Sequence, residues 1–202
     1  MPTRTPSRRA KVSGALKRLE QVEQIKLLAL LLKAHPELQD EAEALAVKII
    51  TTVNPETVAA EVVWAFQGFD QKEIWDRAGK DHVGGFVDPR RAAGAKICEE
   101  RFEPLMEALE RLISMGQMEA ALAQVKGLLT GLYRLEALVP PEAGDFPSKT
   151  GAFRVLEAWA EKAPEGLDQS LTDWFSSESP VDWASDLETF WRSLRRRFRK
   201  PR

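Results

Sequence analysis

The chain has few residues that could carry chemistry. Histidine occurs only at His35 and His82 and cysteine only at Cys98, with no Cys-x-x-Cys or His-x-x-x-His pair. A structural zinc ion takes four nitrogen or sulfur ligands, so no metal site is expected, and no motif implies another cofactor. His35 stands before Pro36 and reads as a helix-end residue. Cys98 lies between Ile97 and Glu99 in a helical pattern, with no helix N-terminus beside it to lower its pKa, and reads as a packed thiol. Acid clusters at Asp40, Glu41 and Glu43 and at Glu99, Glu100 and Glu103 offer carboxylate pairs of the kind used in general acid–base catalysis. In a chain that is 30% charged, helices scatter such clusters routinely. No catalytic residue is assigned, and a non-enzymatic role is expected.

Two other sets of residues are candidates for binding. Gly79-Lys80 invites comparison with a phosphate-binding loop, but Ile74 stands where the earlier glycine belongs, Asp81 replaces Ser or Thr, and no strand pattern precedes it. The match fails. The surrounding loop still gathers Trp75, Arg77, Lys80 and His82 before Gly84-Gly85, a set that could hold a peptide terminus or a small anion. A helix end followed by a connection with solvated charges is the simpler reading. The second set is Arg192, Arg195, Arg196, Arg197, Arg199 and Lys200, crowded into the last turns of an apolar-striped helix. Those cations can complement the helix dipole, the apolar face can dock on the protein's own acidic body, or both can hold phosphates of nucleic acid or anionic lipid.

The distribution of charge sharpens that last point. Of 29 Lys and Arg and 31 Asp and Glu, six bases and one acid lie in residues 1–20, and seven bases and no acid in residues 192–202. Residues 21–191 therefore hold 16 bases and 30 acids, a net charge of −14, between two basic ends. An anionic partner and simple solvation of the ends are both consistent with this asymmetry. The densest apolar run, residues 27–32, is too short to span a bilayer. The basic, polar first residues lack the apolar core of a secretory signal. One cysteine fits a reducing compartment, so a soluble, cytoplasmic protein is expected.

The elements that would position these groups are all helical. Phe102, Met106, Leu109 and Leu112, then Met118, Leu122, Val125, Leu128 and Leu132, step by three or four on either side of Gly116, which predicts an αα-hairpin over residues 101–137. Ala120, Ala121, Ala123, Gly127 and Gly131 allow close approach on a second side of the hairpin, so further neighbours are expected. Upstream, helices are predicted over residues 12–34 and from Pro36 to about residue 53. A third, over 55–67, begins at Asn54-Pro55 and is apolar on most sides, hence expected to be central. A short helix over 71–77 is capped by Asp70, and another opens at Asp88-Pro89, with Pro104 kinking it or restarting the next. Downstream, helices are predicted over about 150–163, 168–176 and 180–199. Four of six tryptophans, Trp159, Trp174, Trp183 and Trp191, fall in this last part.

The expected organisation is a disordered basic tail over residues 1–12, a main helical domain over 13–137, a proline-rich loop over 138–150, and tryptophan-rich helices over 151–199 packed on the main domain. No strand alternation occurs, and the fold class is all-α: an irregular stack of antiparallel helix pairs, helical-repeat-like or a compact bundle, with about eight to nine helices.

Residues 58–135 carry a set of short motifs: Ile74-Trp75-Asp76-Arg77 with Gly79, Gly85-Phe86, Asp88-Pro89, Ala92 and Ala93, then Gly116, Ala120, Ala121, Gly127, Leu128 and Gly131-Leu132-Tyr133. In these the chain resembles helical regions of bacterial proteins found with SWIM-type zinc fingers. The finger's Cys-x-Cys and Cys-x-His ligands are absent, so the resemblance implies no zinc and no finger-dependent nucleic-acid binding. It implies a helical-repeat fold and an adaptor-like role. The function expected is thus a helical adaptor or scaffold binding a protein partner. The alternative is nucleic-acid or anionic-surface binding through the basic C-terminal helix and N-terminal tail.

Overall fold

Helix boundaries follow local chemistry. The Asn54 side-chain oxygen accepts hydrogen bonds from the N–H groups of Glu56 (2.9 Å) and Thr57 (3.4 Å), and Pro55 occupies the first helical position, where it forfeits no bond. Asp70 accepts from the Glu73 N–H at 2.9 Å. Gly116 adopts φ +69°, the left-handed conformation that ends a helix, while the Gln117 N–H bonds back to the Leu112 carbonyl at 2.9 Å. The computed structural model describes residues 16–78, 89–135, 138, 149–177 and 181–198. The predicted tail 1–12, the glycine-rich loop and nearly all of the proline-rich stretch lie outside them.

The protein is all-α. Among the described residues there is no strand, and the α-helices are α1 (Gln21–Ala34), α2 (Gln39–Thr51), α3 (Pro55–Ala65), α4 (Gln71–Ala78), α5 (Pro89–Ser114), α6 (Met118–Leu135), α7 (Lys149–Lys162), α8 (Glu165–Ser177) and α9 (Val181–Phe198). The helix expected over 12–34 is interrupted. A 3₁₀ turn, Leu16–Arg18, precedes α1, and Glu20 between them is extended (φ −71°, ψ 162°) with its N–H given to the Glu23 carboxylate at 2.9 Å. Pro36–Leu38 likewise forms a 3₁₀ turn rather than the first turn of α2. Pro104 does not divide α5. It is exposed, as is Glu100 one turn earlier, so the carbonyl that proline leaves without a donor faces water.

The chain divides into two compact units, Met1–Ile49 and Ile50–Arg202. In the first, α1 and most of α2 bury no residue. In the second, α3 to α9 enclose one core that includes Phe102, Leu109, Leu128, Leu132, Trp159 and Trp191. The hairpin of α5 and α6 is present, and the small-residue side of α6 is occupied by α3. A Cβ placed on Gly127 would lie 2.5 Å from the Cβ of Val58, and one on Gly131 would lie 2.5 Å from the Cβ of Val62. Because residues 127 and 131 meet residues 58 and 62 in the same order, α3 and α6 run parallel, joined through α4 and α5. At the next layer Gly151 brings the start of α7 against Leu132 and Phe102.

Candidate partner-binding surfaces

The arginines of α9 are largely engaged by acids. Leu187, Trp191 and Leu194 enter the core, and Phe190 stacks on Phe153 with ring centroids 4.1 Å apart, so the apolar face of α9 is docked. This fixes Arg195 half-buried with its guanidinium 3.1 Å from the buried carboxylate of Asp168. Arg192 pairs with Glu188 at 2.5 Å, and Arg197 approaches Glu157 at 3.8 Å while lying over Phe198. Arg196 is exposed and has no ion-pair partner among the described residues. Arg199 and Lys200 lie outside them.

The loop set is likewise divided. The Arg90 guanidinium sits 4.0 Å from the centroid of the half-exposed Trp75 ring, a cation–π contact, and Arg77 pairs with Glu100 at 2.7 Å. Both therefore tie α4 to α5. Lys80 and His82 lie outside the described residues. A recess of about 510 Å³ beside α4 is lined by Asp70, Glu73 and Asp76 against Lys72 and Arg77. Three carboxylates to two cations make it a poor anion site.

Arg101 organises the surface next to this recess. From α5 it donates to the carbonyls of Ala65 (3.2 Å) and Gln67 (3.4 Å), pairs with Glu73 at 2.6 Å and covers the Phe69 ring. The Ala65 carbonyl at the C-terminus of α3 and the Gln67 carbonyl in the following turn thereby gain a donor. The same environment sets Cys98: burial, offset by Arg101 and reinforced slightly by Glu73, pushes its thiol up to about 12. The thiol is fully buried, protonated at neutral pH and unreactive. Among the described residues no three His, Cys, Asp or Glu side chains are grouped as a metal would require.

On the other side of the turn that Arg101 holds lies an apolar groove of about 640 Å³, between the C-terminal ends of α3 and α6. Phe66, Phe69 and Leu135 are buried beneath it, and Trp64 and Leu138 stand at its edge, 74% and 62% exposed. Among the described residues Arg134 is its one charged lining residue, paired with Glu56 at 2.9 Å. The apolar composition of α3, which predicts a central helix, does not reveal this site. Val58 and Val62 face α6, whereas position 64 falls about 200° around the helix from position 62, so Trp64 lies off the face of α3 that α6 covers. That angle was available from the sequence; which face of α3 would be covered was not.

These observations define the class as an all-α protein with an apolar groove. No protein family, curated protein or solved structure matches the chain. Among the described residues no helix is long and apolar enough to cross a membrane.

Proposed function

We propose that the protein is a non-enzymatic helical adaptor that binds a protein partner at the groove between α3 and α6. The observation that carries this reading is the 74% exposure of Trp64 at the edge of an apolar groove. Tryptophan is the residue type most enriched among those that dominate binding energy, and water around so large an apolar ring is released when a partner covers it. The groove suits a segment whose aromatic or aliphatic side chain enters beside Trp64. The SWIM-associated resemblance agrees with an adaptor role, and we place the protein in the cytoplasm.

Affinity purification of the tagged protein from its own cells, after nuclease treatment, tests this reading. The wild type should retain a protein partner that Trp64→Ala loses, with thermal unfolding unchanged. Partners retained equally by both proteins would refute the groove assignment. A second reading, binding of nucleic acid or an anionic surface by the end of α9, draws on the exposure of Arg192, Arg196 and Arg197 at one helix end. It requires that binding to nucleic acid or to anionic vesicles be lost when Arg196 and Arg199 are changed to Gln, and, for nucleic acid, that nuclease strip the partners.

A further inference from the structure

The first unit presents apolar surface of a different kind. Val22, Ile25, Leu28 and Leu31 of α1 and Leu45 and Ile49 of α2 are all exposed, Ile49 to 76%. In α1 the six successive apolar residues 27–32 place apolar side chains all round the helix over that stretch, the pattern of a helix covered on more than one side. The two helices are not packed side by side along their lengths, so neither supplies the other's cover.

Charge says what can cover them. Residues 16–34 carry Lys17, Arg18, Lys26 and Lys33 against Glu20 and Glu23, a net +2; residues 35–51 carry Glu37, Asp40, Glu41 and Glu43 against Lys48, a net −3. The helices are also matched in length, 14 and 13 residues, or about 20 Å each. We infer that α1 and α2 are the dimerisation element of this chain, α1 of each copy lying against α2 of the other about a two-fold axis. A two-fold axis brings the cationic segment onto the anionic one twice, gives each helix a partner of its own length, and closes the assembly at two copies. Nine large apolar side chains of this unit are exposed. At on the order of 100 Å² each when fully buried, their exposed portions offer roughly 500 Å² per copy, or about 1,000 Å² per pair, where specific interfaces begin.

The test is the mass of the full chain in solution, by sedimentation equilibrium, for four proteins. The wild type should run at twice 22.7 kDa and dissociate on dilution. Leu45→Glu with Ile49→Glu should weaken dimerisation at least about 30-fold, with the unfolding of the second unit unchanged. Lys26→Glu with Lys33→Glu should be monomeric, as should Glu41→Lys with Glu43→Lys, because each makes α1 and α2 alike in charge. Mixing these two charge variants should restore a dimer containing one of each, since both helix pairs are then again of opposite sign. A wild type that stays at the mass of one chain overturns the inference, whether α1 is then found covered by its own chain or by another protein. A dimer that survives both Glu substitutions in α2, or charge variants that do not re-pair on mixing, overturns the assignment to these helices.

Discussion

Replacing Gly131 with alanine tests the α3–α6 contact that builds the groove. Alanine is the better helix former by about 1 kcal/mol, so on propensity alone the variant should gain stability. The added Cβ, however, would stand 2.5 Å from the Val62 Cβ and 2.9 Å from the Ala59 carbonyl oxygen. Carbon atoms pack at about 3.5–4.0 Å, and neither a Cβ nor a backbone oxygen can rotate away, so α3 must retreat by about 1 Å. A gap of that size forfeits a quarter to a half of the dispersion energy of the atoms lining it, and overpacking of this kind costs about 1–3 kcal/mol or more. Because the whole helix has to move, the upper part of that range applies, leaving after the propensity gain a net loss of about 1–2 kcal/mol or more. At about 2–4 °C per kcal/mol for a chain of this size, Tm should fall by several degrees. Gly166→Ala is the control: a Cβ there meets nothing within 4 Å, so this variant should be as stable as the wild type or gain up to about 1 kcal/mol. Circular dichroism melts of the three proteins suffice. A Gly131→Ala protein as stable as the wild type would refute the close parallel packing of α3 on α6.

Leu109 and Leu128 are both fully buried, so alanine at either should cost about 2–5 kcal/mol by denaturant titration; unchanged midpoints would mean the core is elsewhere. Replacing Arg101 with Met removes charge-assisted bonds to Ala65, Gln67 and Glu73, for an expected loss of about 1.5–3 kcal/mol, whereas an unaltered melt would show that turn to be held otherwise. Cys98 should react with a thiol reagent only when the protein is unfolded, and rapid labelling of native protein at pH 8 would contradict its burial. Burial holds its folded pKa at about 12, above the ordinary thiol value. The native state therefore holds the proton more tightly, and this group's contribution is fully present below about pH 9 and declines as pH rises toward 12.

Local features were legible in the sequence. The Asn54 and Asp70 caps, the turn at Gly116 and the buried stripe through Leu109 and Leu128 depend on residues within a few positions of one another, so periodicity and capping chemistry suffice to place them. The small residues of α6 announced a close neighbour but could not name it, because α3 reaches Gly127 and Gly131 from about 70 positions earlier in the chain. A shorter but still non-local separation hid the acids. Nothing in the stretch around Arg195 reveals that Asp168 of α8 is buried beneath it, nor around Arg101 that Glu73 and the end of α3 meet there. The central position expected for the helix over 55–67 fails at Trp64 for the opposite reason: apolar composition predicts burial, whereas this side chain is 74% exposed.

The groove is tested most directly by titrating the purified partner into wild-type protein and into Trp64→Ala. If Trp64 is the anchor, the variant should bind at least about 30-fold more weakly while unfolding at the wild-type temperature, since a side chain 74% exposed contributes little to the core. Equal dissociation constants for the two proteins would contradict the account.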